Sequence, residues 1–210
     1  MAIRRSCDTR EKLLETVIDL IWKSSYDSVG VNEICENAGV TKGSFYHYFE
    51  SKAELFYSAS ESYWNKAKIN LDNIFSPQNS AISQLEDLID FVIQKQKDNA
   101  QEDNPVVGCP FFTSGAQSGT EEQLVRQAAI EMAEKSIVYS AALVRNLTAE
   151  GYLDDPAEPK ILGRLLSHCI QGVLLHGRVM KDLPLVEADL RDGLYRLLSL
   201  KHQYRAKPAS

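Results

Sequence analysis

The side chains best suited to a chemical task lie together in residues 41–49, with the sequence TKGSFYHYF. Lys42 supplies a positive charge, and Tyr46, His47 and Tyr48 supply hydroxyl, imidazole and aromatic groups. Gly43 has no side chain, so a partner surface can approach its backbone closely. The stretch contains no acidic residue. These groups are suited to phosphate oxygens and to the edges of bases, so the pattern predicts a short helix that binds nucleic acid.

No comparable pattern points to catalysis. The chain lacks GxSxG, HExxH, a phosphate loop and a dinucleotide fingerprint, and its carboxylates are scattered without forming an acid–base pair. The four cysteines, Cys7, Cys35, Cys109 and Cys169, are widely spaced and form no CxxC pair. They predict neither a disulfide framework nor a zinc site. We therefore expect no enzyme, no metal and no cofactor.

The residues around this stretch predict how it is held. Residues 31–38 form an amphipathic helix whose apolar positions are Val31, Ile34, Cys35 and Ala38. Gly39 can adopt the left-handed conformation that ends a helix, and Val40 can fill the turn. Thr41 stands where an N-cap belongs, and Phe45 and Phe49 lie four residues apart, on a core-facing side. Two short helices joined in this way predict a helix-turn-helix, whose second helix enters the major groove.

The segment VNEICENAGVTKGSFYHYFESKAELF resembles the DNA-binding segment of TetR-type transcriptional regulators, and TKGSFYHYFESK is its most specific part. The resemblance covers roughly residues 9–56. It implies DNA contacts from Thr41, Lys42, Gly43, Tyr46, His47, Tyr48 and Lys52, although Tyr48 could pack on the protein instead. Gly30 departs from the family, in which a serine or threonine commonly caps the helix and touches a phosphate. Only the backbone amide of Gly30 could make that contact.

The remaining sequence favours an all-α fold of about nine helices. The chain has 210 residues, 44% of them hydrophobic, and apolar side chains recur at three- and four-residue spacing. We expect a helix-turn-helix domain over residues 1–56, linked by a helix over 51–73 to a regulatory and dimerisation domain over 57–210. Residues 1–8 are interpreted as a short basic arm. The net charge of −6 does not exclude DNA binding, because only the face that meets phosphates must be positive.

The last two predicted helices, residues 160–181 and 186–201, carry more apolar side chains than one buried stripe requires. Such a wide apolar face indicates burial against a second subunit, although a central helix in the core of one subunit would show the same pattern. The resemblance favours the homodimer, because TetR-like proteins pair through their last two long helices. A two-fold dimer would also match a palindromic operator.

The resemblance further implies a C-terminal cavity whose small-molecule ligand loosens DNA binding. Residues that could line it, each also explicable as ordinary core, are Phe91, Cys109, Phe111, Phe112, Tyr139, His168 and His176. Cys109 precedes Pro110, which predicts a helix N-terminus where amides could stabilise a thiolate. This Gly-Cys pair resembles a branch of TetR-like regulators that senses electrophiles or oxidants. The alternative is a small buried apolar residue.

The sequence as a whole therefore predicts a cytoplasmic, ligand-responsive regulator, most simply a repressor, that binds double-stranded DNA as a homodimer and is released by an inducer. Two alternatives remain at this level. One is a repressor that senses electrophiles through Cys109. The other is a helical interaction module without specific DNA binding.

Overall fold

The structure, a computed structural model, describes residues 2–119, 122–155 and 158–205, with side chains described from Thr9 onwards. Within these residues the fold is helical, and only two isolated β-bridges occur outside the helices. The helices are α1 (Ala2–Lys23), α2 (Val31–Ala38), α3 (Lys42–Tyr48), α4 (Lys52–Ile74), α5 (Ala81–Asn99), α6 (Pro110–Gln117), α7 (Gln123–Ala149), α8 (Pro159–Met180), α9 (Leu183–Leu197) and a short 3-10 helix, His202–Tyr204. The all-α prediction is confirmed.

The chain divides into two compact units, and each unit is made of two separate stretches of the sequence. The first unit takes in the described residues among 1–67 and 109–132, and the second takes in those among 68–108 and 133–210. The unit with the helix-turn-helix therefore includes most of α4, all of α6 and the beginning of α7. The boundary at residue 56 stays a prediction.

The first unit is built around one apolar core. Leu13, Val17 and Ile21 of α1 are almost completely buried, as are Ile34 of α2 and Phe45 of α3. Further along the chain, α4, α6 and α7 complete this core with Leu55, Phe56, Phe111, Val125 and Ala128. The three N-terminal helices are thus fixed by side chains that each helix directs to a common interior.

The basic arm expected at residues 1–8 is replaced by helix, because α1 begins at Ala2. Residues 2–12 contain no glycine or proline that would stop a helix, and several of them have good helix propensity. Asp8 and Thr9 could have capped a helix start at that point, but such residues are also tolerated within helices.

In the second unit, α8 packs against both α7 and α9. Gly163 of α8 lies so close to α7 that an added Cβ would stand 2.6 Å from the backbone nitrogen of Ala141. On α9, Arg191 forms an ion pair with Glu86 of α5 and a second one with Asp90, 2.9 Å away. These contacts hold α8 against α7 and α9 against α5, and Gly177 of α8 lies directly against Val186 of α9.

The last helix differs from its predicted range of 186–201. It begins at Leu183, because the Asp182 side chain accepts a hydrogen bond from the Leu185 amide at 2.9 Å and Pro184 fits the first turn. Pro184 therefore starts this helix and does not precede it. The helix ends at Leu197, and Ser199 then takes a φ of 48°. This turn lets the buried Leu200 pair with Leu153 in an antiparallel bridge.

The close approach of α7 and α8 at Gly163 gives a stability test. Gly163→Ala should lower the free energy of unfolding by about 1–2 kcal/mol, because the new methyl group would meet backbone that cannot move aside cheaply. Gly193→Ala on α9 is the matched control, since its Cβ would lie 3.4 Å from Cys169 Sγ, an ordinary contact. Thermal unfolding followed by circular dichroism compares the two. Equal midpoints for both variants would contradict the close packing.

Candidate nucleic-acid interface

The turn between α2 and α3 is set by Gly39. Its φ of 66° and ψ of 38° lie in the left-handed region, which glycine adopts without steric cost. The Gly39 amide donates to the carbonyls of Cys35 and Glu36, and the Val40 amide donates to the Cys35 carbonyl at 2.9 Å. These bonds close α2 and turn the chain, and Val40 packs against the core as the sequence predicts.

Thr41 then caps α3, as predicted. Its hydroxyl accepts a hydrogen bond from the Ser44 amide at 3.1 Å and lies 3.1 Å from the Ser44 hydroxyl. Phe45 is fully buried and Phe49 is 2% exposed, with their ring centroids 6.2 Å apart. Phe45 within this seven-residue helix and Phe49 at its C-cap therefore anchor it, and Lys42, Gly43, Tyr46 and His47 are left at the surface.

The outward side of α3 presents most of the residues that the sequence singled out. Lys42, Gly43 and His47 are exposed, and Tyr46 is 57% exposed with its ring edge-on to Phe45. A Cβ added at Gly43 would meet only the Thr41 hydroxyl, at 3.7 Å, so the backbone here is open to a partner. The surface formed by residues 42, 43, 46 and 47 is called the α3 outer face below.

Tyr48 behaves differently from its neighbours. It is half-buried, packs against the core and lies edge-on to His47, with centroids 4.8 Å apart. Of the two possibilities that the sequence left open, the geometry favours packing. In this position the Tyr48 ring supports the His47 ring.

The N-terminus of α2 shows the consequence of Gly30. Gly30 occupies the N-cap position with extended backbone, φ −94° and ψ 157°, and no side chain is available to bond the first amides of the helix. No atom lies within 4 Å of the position that a Cβ would occupy. There is therefore room for a serine side chain at position 30, and lack of space does not explain the glycine.

Lys52 was expected to face phosphate, but its amino group is engaged within the protein. Nζ donates to the carbonyl oxygens of Tyr26 at 2.9 Å and Val29 at 3.1 Å, and it lies 4.0 Å from the centre of the Tyr26 ring. Burial lowers the pKa of this lysine, and the nearby carboxylates of Glu122 and Asp27 act in the opposite direction. One local feature of the sequence is consistent with this arrangement, because a lysine in the first turn of a helix is unfavourable unless it has a partner.

Sequence reasoning also missed the position of Arg10. This exposed residue of α1 lies over the Phe49 ring, with its guanidinium carbon 5.5 Å from the ring centre. It brings a positive charge next to the end of α3. No spacing rule links residues 10 and 49, because only the packing of α1 against α3 brings them together.

Three of the residues expected to line a ligand cavity belong to the first unit. Phe111 is buried in the core, where its ring centroid lies 5.5 Å from that of Phe56 and 5.1 Å from that of Tyr63. Phe112 is 37% exposed, and Cys109 is half-buried at the N-cap of α6. The predicted helix start at Cys109-Pro110 is confirmed.

The Cys109 thiol does not show the expected activation. Burial raises its pKa above the usual value, while the amides of Phe112 and Phe111 act to lower it. The net shift is therefore opposite to the one that the sequence suggested, because loss of solvent outweighs the helix amides. A thiol in this state holds less thiolate at neutral pH than a free cysteine.

The other four expected cavity residues belong to the second unit and have different surroundings. The Tyr139 hydroxyl donates to Asp72 at 2.5 Å, and hydrogen bonding with burial raises its pKa to about 12. Phe91 lies under the amino group of Lys95, 5.6 Å away. His168 and His176 are exposed on α8. These surroundings give no direct sign of a shared cavity lining.

Beside the two histidines, α8 carries a row of exposed apolar side chains. Ile161 is 53% exposed, Leu165 40%, Leu175 56% and Val179 72%. Together with His168 and Gly172 they recur at alternating four- and three-residue steps, which places them along one side of the helix. This row, residues 161, 165, 168, 172, 175 and 179, is called the α8 stripe.

Two further properties were searched for in the described part of the chain. No group of three or more histidine, cysteine, aspartate or glutamate side chains there is arranged to hold a metal ion. Likewise, none of the helices described is both long enough and apolar enough to cross a bilayer.

Comparison with known proteins gives a family for the N-terminal residues. Residues 13–59 match the family described as bacterial regulatory proteins of the tetR family. An uncharacterised HTH-type transcriptional regulator from the lacX 3′ region of Lactococcus lactis is 27% identical over 188 residues, which cover 87% of this chain and 89% of that protein. The HTH-type transcriptional repressor NemR of Escherichia coli K12 is 49% identical over 45 residues, 21% of this chain and 23% of NemR.

The fold is similar over most of the chain to a solved structure. The regulatory protein TetR from Rhodobacter sphaeroides has a TM-score of 0.76 at 24% identity, and the match covers 87% of this chain and 95% of that one. The relatives found are transcriptional regulators and not enzymes. The N-terminal family match and the helix-turn-helix geometry lead to one conclusion: residues 13–59 carry the helix-turn-helix of the tetR family of regulatory proteins, and the chain is similar along most of its length to a transcriptional regulator.

Proposed function

We propose that this regulator is a cytoplasmic repressor that binds a palindromic operator as a homodimer and is released by a small-molecule inducer. The observation that carries the proposal is the α3 outer face. A seven-residue helix, held by the buried Phe45 within it and the buried Phe49 at its C-cap, presents a lysine, a tyrosine and a histidine to solvent without any acidic residue among them. The operator would be chromosomal, which is why we place the protein in the cytoplasm.

Each residue of this face has a role that follows from its chemistry. Lys42 can reach a phosphate or a guanine edge, and Tyr46 and His47 can contact base edges in the major groove. The open backbone at Gly43 allows the helix to approach the DNA closely, and Thr41 with the neighbouring amides suits a phosphate. Arg10, next to Phe49, adds a positive charge that can meet the DNA backbone.

The α8 stripe supports the homodimer. Exposed apolar rows are costly in water, and this one has the four- and three-residue steps by which two helices pack along a shared seam. An isologous contact around a two-fold axis would bury the stripe of each subunit on that of the other. The two α3 outer faces would then meet two half-sites of a palindrome.

Repression and induction are supported by the family. NemR, which is 49% identical to this chain over 45 residues, is described as a repressor. An inducer acts if it binds one of two dimer conformations more tightly than the other and so reduces the population that fits the operator. The seven residues expected to line its site stay predictions.

The thiol-sensing alternative receives no support from the geometry. Cys109 is half-buried at the start of α6, but its pKa is raised and not lowered. An electrophile reacts with the thiolate, so this cysteine should react slowly.

The proposed role of the α3 outer face is tested by the double variant Lys42→Ala/Tyr46→Ala. Loss of one phosphate or guanine contact and one groove contact should weaken specific binding by at least about 100-fold, to the level of unrelated DNA. Both side chains are exposed, so the thermal midpoint should change little. Fluorescence anisotropy with DNA from upstream of the coding region measures the affinity. Undiminished affinity in a folded double variant would refute the assignment.

The dimer contact is tested by Leu175→Glu/Val179→Glu. Four carboxylates brought to one seam should raise the dimer dissociation constant by about 100-fold or more, because charges lose solvation there. Met180→Glu, at an exposed apolar position of α8 on another side of the helix, is the matched control and should remain dimeric. Sedimentation equilibrium gives the mass of each variant. A dimer of unchanged strength in the double variant would exclude the α8 stripe from the contact.

Slow reaction of Cys109 is also measurable. We expect iodoacetamide to alkylate Cys109 at neutral pH more slowly than it alkylates free cysteine, because burial raises the pKa of this thiol and so lowers the fraction present as thiolate. Peptide mapping by mass spectrometry resolves the separate cysteines. Faster reaction than free cysteine, with an electrophile response in operator binding that disappears in Cys109→Ser, would instead establish a sensor.

A further inference from the structure

The amino group of Lys52 is held by one short segment of the chain. The two carbonyls that accept its hydrogen bonds, at 2.9 and 3.1 Å, belong to Tyr26 and Val29 in the loop between α1 and α2. Both of these residues are almost completely buried, with 3% and 1% exposure. Lys52 is itself the first residue of α4, so its side chain joins the start of α4 to this loop.

Hydrogen bonds within the turn and the burial of two side chains also help to fix the shape of this loop. Ser25 and Ser28 bond to each other through their hydroxyls and amides, which closes the turn itself. Outside that turn, the buried side chains of Tyr26 and Val29 hold the loop to the core. The Tyr26 ring lies edge-on to the Phe56 ring, with 5.2 Å between their centroids. Lys52 satisfies two carbonyls that would otherwise need water at the edge of that core.

The position of the loop matters because it ends at the start of α2. Val29 directly precedes Gly30, the N-cap of α2, and the Gly30 carbonyl accepts the first helical hydrogen bond, from the Ile34 amide at 3.0 Å. Gly30 provides no side-chain cap of its own. The direction in which α2 begins is therefore set by the residues before it, and α2 in turn packs on α3 through Ile34 and Phe45.

We propose that Lys52 is a positioning residue for DNA recognition, which holds the α1–α2 loop and thereby α2 and α3 in register, and that it is not itself a phosphate contact. The inference rests on the proposed DNA-binding function. An ammonium bonded to two carbonyls and seated on an aromatic ring would have to give up these charge-assisted contacts before it could reach a phosphate.

Nearby acidic groups strengthen the arrangement. The Tyr26 hydroxyl is hydrogen-bonded to Glu122, and burial together with the charge of Glu122 raises the pKa of Tyr26. Glu122 and Asp27 also act on Lys52 as favourable charges. These two carboxylates partly offset the cost of burying the ammonium, which is the larger effect and lowers the pKa of Lys52.

The experiment compares Lys52→Met with Lys42→Met in the full chain. Methionine keeps most of the apolar stem and removes the charge. Two quantities are measured: amide hydrogen exchange over residues 24–34 without DNA, and binding of duplex DNA from upstream of the coding region at several salt concentrations. Each phosphate contact that is lost reduces the slope of log affinity against log salt by about 0.9.

Lys52→Met should accelerate exchange in the loop and at the start of α2 by about tenfold, the ratio expected for loss of a charge-assisted hydrogen bond. It should weaken DNA binding by about tenfold with the salt slope changed by less than about 0.3. Lys42→Met should leave amide exchange over residues 24–34 unchanged. If Lys42 contacts a phosphate, this variant should also reduce the slope of log affinity against log salt.

Unchanged exchange in Lys52→Met, together with a slope reduced by about 0.9, would overturn the inference and make Lys52 a phosphate contact. The proposed function would survive that result. Absence of salt-dependent binding by the unmodified protein would instead overturn the proposed function, and exchange alone would then decide whether Lys52 holds the loop.

Discussion

The burial of Phe45 and Phe49 is the interaction on which the DNA-binding surface depends. A seven-residue helix is too short to be stable alone, so its orientation comes from the side chains that it buries. These two rings occupy its inner side and meet the core formed by α1, α2 and α4. Lys42, Tyr46 and His47 are then directed outwards and occupy one surface, because the phenylalanines occupy the opposite side. Tyr48 packs half-buried against the core.

Backbone conformation and hydrogen bonds at the helix ends also determine how α3 is oriented. Gly39 and Thr41 set the angle at which α3 leaves α2, since one supplies a left-handed backbone and the other a cap. At the far end of α3, Ser51 accepts from the Glu54 amide at 3.1 Å and Glu54 accepts from the Glu50 amide at 2.6 Å, an arrangement close to a capping box that starts α4. Tyr57 then bonds Glu131 of α7 at 3.1 Å, so α4 contacts both the DNA-binding helices and α7.

Much of the N-terminal unit could be predicted from sequence because its signals are local. A left-handed glycine, a threonine cap and two phenylalanines four residues apart constrain their own neighbourhood, and α2, the turn and the cap are found where the pattern predicts them. Lys52 and Arg10 were less accessible, because their partners lie 26 and 39 positions away along the chain and depend on how helices pack. The start of α1 and both ends of α9 also differ from the prediction. A residue that can cap or start a helix does not always do so, and the sequence alone does not show which one will.

The C-terminal residues gave a weaker basis for prediction. An aromatic or histidine side chain on an amphipathic helix has the same spacing whether it lines a cavity, fills a core or faces solvent. Phe111 proved to be core, and His168 and His176 proved to be exposed. The wide apolar face of α8 was a stronger signal, because one helix cannot bury side chains all around within a small unit, and part of that face is indeed exposed in the α8 stripe.

The central claim is that the α3 outer face reads a specific DNA sequence. The most direct measurement is a titration of the unmodified protein with duplex DNA from upstream of its own coding region, and with a shuffled duplex of equal length, at several salt concentrations. We expect affinity for the upstream DNA at least about 1,000-fold above that for the shuffled duplex, with a steep salt slope for both. Equal, weak affinity for every duplex, including fragments that span the neighbouring genes, would contradict the account.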